Sequence, residues 1–315
     1  MSVSAVKNAP LSSVLNTFSQ PGFKKWKGRS PLNVINPFEN LQLRQRMPKC
    51  LIVGFAKCGT YALKSFLSLH PNLICAENET QFFSRFYFKG FAWYKRQMPF
   101  SSEHQITVEK TPSYAESKLA LQRIHAFNSS IKLIVIVRDP VTRLQSSYAH
   151  FLARNKDPKL NFTFREWCGD NESIIHKIDY YSHLVNIYGL FDRDQVLVLS
   201  EEDLEADPFG VMQQVARFVG LKTAFTKDVF VFNSRKGFYC INTNNSKYKD
   251  VTTHIKTDPI TGCLKKSKGR SHPNVDKSFL RHLASIALPH NENLFHIINK
   301  RFPWTTVEYF ETMNS

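Results

Sequence analysis

The stretch Cys50-Leu51-Ile52-Val53-Gly54-Phe55-Ala56-Lys57-Cys58-Gly59-Thr60 decides the fold. From Cys50 to Phe55 it is a short apolar run, the pattern of a strand buried in a parallel sheet. The turn Ala56 to Gly59 follows, and Leu63, Phe66, Leu67 and His70 then recur at helical spacing until Pro71 stops the helix. Strand, tight turn and helix in direct succession begin an α/β fold.

The same unit recurs downstream. Lys132 to Val137 reads as a strand, Arg138-Asp139-Pro140 as a turn, and Val141 to Arg154 as a helix entered through the proline. Between the two units, Gln105 to Val108 is a further strand leading into Glu109-Lys110-Thr111-Pro112. Gln195 to Leu199 is a fourth, followed by a helix from Pro208 to Val219. Strands alternating with helices predict a mostly parallel central sheet flanked by helices, with right-handed crossovers. Ligands of such sheets sit at the carboxyl ends of the strands, where these turns fall. Residues 1–48 carry scattered Pro, Ser and Asn and the run Lys24-Lys25-Trp26-Lys27-Gly28-Arg29, and read as a flexible basic arm. Residues 49–315 read as a single domain, in which the polar, turn-rich segment 221–274 forms a hairpin or loop against the main body. No internal repeat is visible.

With 42% hydrophobic and 13% aromatic residues in 315, the chain can bury a substantial core, which excludes global disorder. No apolar run approaches the ~18 residues of a membrane span. The 42 basic against 26 acidic residues leave a net charge of +16, which points to a polyanionic partner. Nucleic acid, an acidic glycan, an anionic cofactor and a membrane surface all satisfy that charge, but no helix-turn-helix, zinc-finger or RNA-recognition signature supports the first. The cysteines Cys50, Cys58, Cys75, Cys168, Cys240 and Cys263 lack zinc spacing, so no metal is expected. Asn78, Asn128, Asn161, Asn171 and Asn244 each begin an N-x-S/T triplet, weak support for a secretory route. Met1 to Gln20 lacks the apolar core of a signal peptide, so either a targeting segment lies outside this sequence or the protein stays in the cytosol.

A turn that opens a helix after a strand offers backbone N–H groups and the positive dipole end to an anion. Gly59 lets that anion approach the backbone closely, Thr60 adds a hydroxyl and Lys57 a charge. The nucleoside triphosphatase loop would carry its lysine directly after the second glycine, whereas here Lys57 precedes Gly59 by two residues. The plain alternative is an ordinary turn with a solvated lysine. Arg138 stands where a Walker-type aspartate would hold magnesium, which suits a second phosphate; its plain alternative is an ion pair with Asp139 or a helix end. Ser146 lies two turns along the same helix as a hydroxyl donor. Two anion turns in one sheet suggest a nucleotide with phosphates at both ends.

At this point a resemblance becomes visible. Gly54-Phe55-Ala56-Lys57-Cys58-Gly59-Thr60 resembles the 5′-phosphosulfate loop of sulfotransferases that use 3′-phosphoadenosine 5′-phosphosulfate (PAPS), and Ile136-Val137-Arg138-Asp139-Pro140 through Ser146 resembles their 3′-phosphate motif. Leu67-Ser68-Leu69-His70-Pro71, Ala76-Glu77-Asn78-Glu79, Met98-Pro99-Phe100-Ser101, Val108-Glu109-Lys110-Thr111-Pro112, Lys236-Gly237-Phe238-Tyr239-Cys240 and Ser267-Lys268-Gly269-Arg270-Ser271-His272-Pro273 are similar to heparan sulfate glucosamine 3-O-sulfotransferases, in the right order from Lys49 to Trp304.

The resemblance implies a P-loop-like sulfotransferase fold and a role for each matching residue. Lys57, Cys58, Gly59, Thr60 and Tyr61 would cradle the 5′-phosphosulfate, and Arg138 and Ser146 would hold the 3′-phosphate. Lys268, Gly269, Arg270, Ser271 and His272 would close over the nucleotide, with Tyr239 near the adenine. Cys240 and Cys263 match the family's disulfide. Glu79 falls on the catalytic base and Lys110 on its partner; with Gln81 and Thr111 they would line the acceptor side. The implied reaction transfers a sulfuryl group from PAPS to a glucosamine hydroxyl of heparan sulfate, most directly the 3-hydroxyl, in the Golgi lumen and without a metal. Glu109 and Glu77 read most simply as structural.

The sequence departs from the family at Ala56, where an arginine is usual, at Gln81 for histidine, at Ser84 for aspartate and at Tyr61 for arginine; Cys58 takes a second glycine-like position. Gln81 cannot carry charge, and Ala56 cannot contact an anionic acceptor as a guanidinium does. Normal nucleotide binding with weak or altered 3-O-sulfation is the expectation. The readings beside it are a sulfotransferase for another position or acceptor, and a catalytically weak glycan-binding homologue. Lys265, Lys266, Lys268 and Arg270 are candidates to line a groove for the sulfated chain.

Overall fold

Aliphatic runs too short for a helix build the centre of the molecule. The structure, a computed structural model, describes residues 42–155, 157, 162–222, 225–244, 255, 257, 258, 260–264 and 275–304. Strands β1 (Arg44–Gln45), β2 (Cys50–Gly54), β3 (Leu73–Cys75), β4 (Phe100–Ser101), β5 (Ile106–Lys110), β6 (Lys132–Val137) and β7 (Val196–Ser200) precede a hairpin of β8 (Phe230–Asn233) and β9 (Phe238–Ile241). The main sheet has the order β3-β5-β2-β6-β7 and every pairing in it is parallel. All five residues of β2 are buried, as a central strand covered on both faces requires.

The α-helices in chain order are α1 (Thr60–Leu67), α2 (Gly90–Arg96), α3 (Lys118–Phe127), α4 (Pro140–Arg154), α5 (Phe164–Cys168), α6 (Asn171–Ile178), α7 (Tyr180–Tyr188), α8 (Glu201–Ala206), α9 (Pro208–Phe218) and α10 (Lys277–Ile298). From α3 onward each begins on a Ser, Thr or Asp whose side chain accepts a first-turn N–H, among them Ser117, Asp139, Ser200 and Asp276. Neither α1 nor α2 has such a cap. A second apolar layer joins α4, α5, α6 and α10 through Leu144, Tyr148, Phe164, Ile174, Phe279 and Leu283.

The first 41 residues lie outside the described ones, and with them most of the arm expected over 1–48. Its last part is not an arm: Arg44–Gln45 pairs antiparallel with Phe100–Ser101, and the Gln45 amide donates to the carbonyls of Arg96 and Met98, both at 3.0 Å. The expected hairpin in 221–274 is present as β8–β9, with Phe230 opposite Ile241. Among the described residues no helix is long and apolar enough to cross a membrane.

Gly54 ends β2 where a side chain cannot fit: a Cβ there would lie 2.6 Å from that of Ala115. Gly54→Ala should therefore lower stability by about 1–3 kcal/mol through overpacking. A urea midpoint that falls with an unchanged slope checks this, and an unchanged midpoint contradicts it.

Candidate active site

Three neighbouring strands end in residues that the sequence singles out. β5 ends at Lys110, β2 runs into the loop 55–59, and β6 runs into Arg138, in the spatial order β5-β2-β6. The Thr111 N–H donates to the Ile52 carbonyl at 3.1 Å and the Phe55 N–H to that of Ile136 at 2.8 Å, so the three chains stay laddered to the rim. Adjacent strands lie about 4.8 Å apart, which puts the three ends within roughly 10 Å of one another.

The loop is tightly wound. Lys57 has φ 71° and Gly59 φ 76°; glycine takes this left-handed conformation without steric cost, lysine does not. Cys58 between them is fully buried, its N–H donating to Phe55 O at 3.3 Å and its sulfur 3.4 Å from the Tyr180 hydroxyl. Burial pushes this thiol up to about 12, so it stays protonated and inert. Arg143 of α4 fixes the loop from behind. Its Nε donates to Ala56 O at 3.1 Å, its Nη1 to Lys177 O at 2.9 Å, and its Nη2 to Glu116, with the guanidinium over the rings of Phe55 and Tyr180. Thr60 is buried at the start of α1, and Tyr61 is half-buried one residue on.

Arg138 faces the same loop: its Nη1 donates to Lys57 O at 3.5 Å, and its own carbonyl accepts the Tyr180 hydroxyl at 2.9 Å. Its ion pair is not with Asp139, the partner weighed from sequence. Asp139 caps α4, accepting from the Thr142 N–H at 2.7 Å, while Arg138 Nε lies 2.9 Å from Glu201 Oε2. Ser146 sits two turns into α4, half-buried.

On the other side of the loop, Lys110 is ion-paired with Glu79; the lysine side chain is 8% exposed and the carboxylate 42%, so Glu79 can be reached from solvent. Glu109 beside it is wholly buried and accepts from the Thr80 N–H and Oγ1, both at 3.3 Å, and from Thr111 Oγ1 at 2.5 Å. Thr111 Oγ1 in turn accepts the Gln81 N–H at 3.3 Å, where the backbone turns left-handed (φ 50°) into a π-helical turn, Phe82–Phe86. The Lys64 ammonium donates to the Glu77 carbonyl, and burial pushes its pKa down. Lys110 with Glu79 and Glu109 with Thr80 thus clip two segments together residue by residue. Gln81 and Ser84 are half-buried and Ala56 is exposed.

Tyr239 lies on β9 with its ring edge-on to Phe232 at 5.2 Å, and Cys240 is disulfide-bonded to Cys263. Lys268, Gly269, Arg270, Ser271 and His272 fall outside the described residues, as do Lys265 and Lys266. Among the described residues no three His, Cys, Asp or Glu side chains are grouped to hold a metal ion. Sequence reasoning missed Arg143, Lys64 and Glu201. Glu201 carried a readable signal, since it follows a parallel strand directly as Arg138 does.

The sulfotransferase domain family matches residues 47–285, which gives the class of this parallel sheet with a glycine-bearing loop on its middle strand and cations on the flanking rims. The chain is 38% identical over 266 residues to human heparan sulfate glucosamine 3-O-sulfotransferase 6, covering 83% of this chain and 75% of the relative. It is 38% identical to the mouse 3A1 enzyme, over 82% of this chain and 65% of that one, and 33% identical to the mouse 5 enzyme, over 83% and 75%. A sulfotransferase crystal structure from Alicyclobacillus acidocaldarius shares the fold, with a TM-score of 0.59, 20% identity and coverage of 82% of this chain and 98% of that one. The chain belongs to the heparan sulfate glucosamine 3-O-sulfotransferase family.

Burial is the largest influence on Glu109 and raises it from 4.5 to about 7 against the lowering pull of its threonine bonds. The native state therefore keeps a proton that the unfolded chain has already lost, and this group's contribution to stability falls as pH rises from 4.5 to about 7. The loss is of the order of 3 kcal/mol. Glu109→Gln should flatten that decline in urea midpoints taken across the interval; a decline as steep as in the parent protein would count against the assignment.

Proposed function

We propose that this chain transfers the sulfuryl group of PAPS to a glucosamine hydroxyl of heparan sulfate, with the 3-hydroxyl as the acceptor position. The observation that carries the reading is the order of the three strand ends: the Lys110–Glu79 pair, the Lys57–Gly59 loop and Arg138 on one rim. The helix after the loop supports it too, because Gly59 gives α1 no capping side chain and no acidic residue stands in its first turn. Such a terminus suits an anion that docks against the backbone.

In this reading Lys57, Cys58, Gly59, Thr60 and Tyr61 hold the 5′-phosphosulfate, and Arg138 and Ser146 the 3′-phosphate. Tyr239 and the segment Lys268 to His272 complete the nucleotide site. PAPS supplies an activated sulfuryl group on a phosphate leaving group. The chain's own contribution is position and charge, as in other transfers through loose transition states. Glu79 accepts the proton of the acceptor hydroxyl, for which its partial exposure leaves room. Lys110 holds that carboxylate in place, with Thr111 and Gln81 beside it, and Lys57 and Lys110 offset charge developing on the transferred group. The disulfide Cys240–Cys263 supports an oxidising compartment, in keeping with the Golgi lumen, where the exposed Asn78, Asn171 and Asn244 would be open to glycosylation. The net charge of +16 suits a sulfated polysaccharide acceptor.

A weaker transferase that chiefly binds the glycan is the second reading, favoured by the exposed Ala56 and the uncharged Gln81 where the resemblance implies arginine and histidine.

Purified protein, labelled PAPS and heparan sulfate separate the two, with disaccharide analysis locating the sulfate. Glu79→Gln should lower transfer by roughly 10²–10⁴-fold. Its affinity for adenosine 3′,5′-bisphosphate should not change. Equal label from both forms would remove Glu79 from the mechanism, and no label from the parent protein would favour the weaker reading. Arg138→Ala should weaken adenosine 3′,5′-bisphosphate binding in calorimetry and, by leaving Glu201 unpaired, lower the melting temperature; unchanged binding by the folded variant would remove Arg138 from the nucleotide site.

A further inference from the structure

The anion loop already has a carboxylate against it. Glu201 is the first residue of α8, directly after β7, and its side chain is 15% exposed. A Cβ on Gly59 would meet Glu201 Cγ at 3.1 Å and Oε1 at 3.2 Å, so this carboxylate occupies the space that a glycine keeps open. Its other oxygen, Oε2, lies 2.9 Å from Arg138 Nε as an ion pair, yet has no hydrogen-bond partner among the described residues. A cavity of about 210 Å³ adjoins it, lined in part by Arg138, Thr142, Glu202 and Pro303.

Resting on the donor site proposed above, we propose that Glu201 is a resident competitor for the donor's phosphates. Its negative charge sits between Gly59 and Arg138, and the nucleotide enters when that carboxylate takes up a proton or turns aside.

The surroundings favour proton uptake. Arg138 from the end of β6 and Lys57 from the loop favour the charged form; Glu202 and Glu205 on the same helix disfavour it. Asp139 stands behind Glu202, its N–H donating to Glu202 Oε1 at 2.8 Å, and the Cys58 thiol behind Gly59 stays neutral. Burial, the largest influence, brings the Glu201 carboxyl to about 7, so a modest approach of phosphate charge suffices to protonate it. Binding then consumes a proton, and affinity falls as pH rises above about 7. A phosphate monoester has its second pKa near 6, so the ligand's own charge is nearly constant in that range.

The test is calorimetric titration of the full chain with adenosine 3′,5′-bisphosphate from about pH 7 upward, in two buffers of different ionisation enthalpy. The parent protein should take up close to one proton per ligand and lose up to about tenfold in affinity per pH unit. Glu201→Gln should bind more tightly than the parent at the alkaline end and show no proton uptake; Glu201→Ala, checked by thermal melting, guards against a folding defect in the first variant. Equal affinity and equal proton uptake in all three forms would overturn the competitor while leaving the donor site standing. Absence of binding by all three folded forms would remove the donor site and the competitor with it.

Discussion

A guanidinium inside the protein braces the loop 55–59 from behind. Arg143 is 8% exposed and lies over Phe55 and Tyr180, and its hydrogen bonds reach Ala56, Lys177 and Glu116 in three separate parts of the chain. Burying such a charge is unfavourable unless every donor is engaged, and leaving its partners behind is more unfavourable still. The loop's left-handed Lys57 and Gly59 therefore need not be imposed by a ligand. They stand beside a network within the protein itself, the kind of preorganisation that group transfer rewards.

Around that fixed loop the carboxylates divide by environment. Glu79 reaches solvent beside its lysine. Glu109, one residue before that lysine, is sealed inside and holds Thr80 and Thr111. Glu201 lies between, against the loop yet next to a cavity. The same functional group thus stands in three settings: exposed at the rim beside a lysine, sealed among threonines, and packed against a glycine and an arginine.

Much of this was legible in the chain. The all-apolar run from Cys50 and the run from Lys132 could only be buried strands, and Pro140 marked its helix start as the structure has it. The rim positions of Lys57, Lys110 and Arg138 followed from parallel strands ending together. What escaped was tertiary. β3 is three residues long, too short for any periodicity to register. α10 runs for 22 residues through Pro289, a residue that local rules read as a breaker. Arg143 escaped because nothing in its neighbours in sequence announces the aromatic slot formed by Phe55 and Tyr180. The place of Glu201 directly after a strand was readable, but its partners were not: they stand over a hundred positions away in Gly59 and about sixty away in Arg138.

The pairing of Arg44–Gln45 with Phe100–Ser101 bears on how the protein can be shortened. Gln45 and Arg46 satisfy the carbonyls of Arg96, Met98 and Ser101, three acceptors that would otherwise turn to water or to another molecule. A fragment cut at the first strand of the parallel sheet would bare that edge and invite chains to associate through it. The minimal well-behaved fragment accordingly starts upstream of Arg44, although the motifs that name the family begin later.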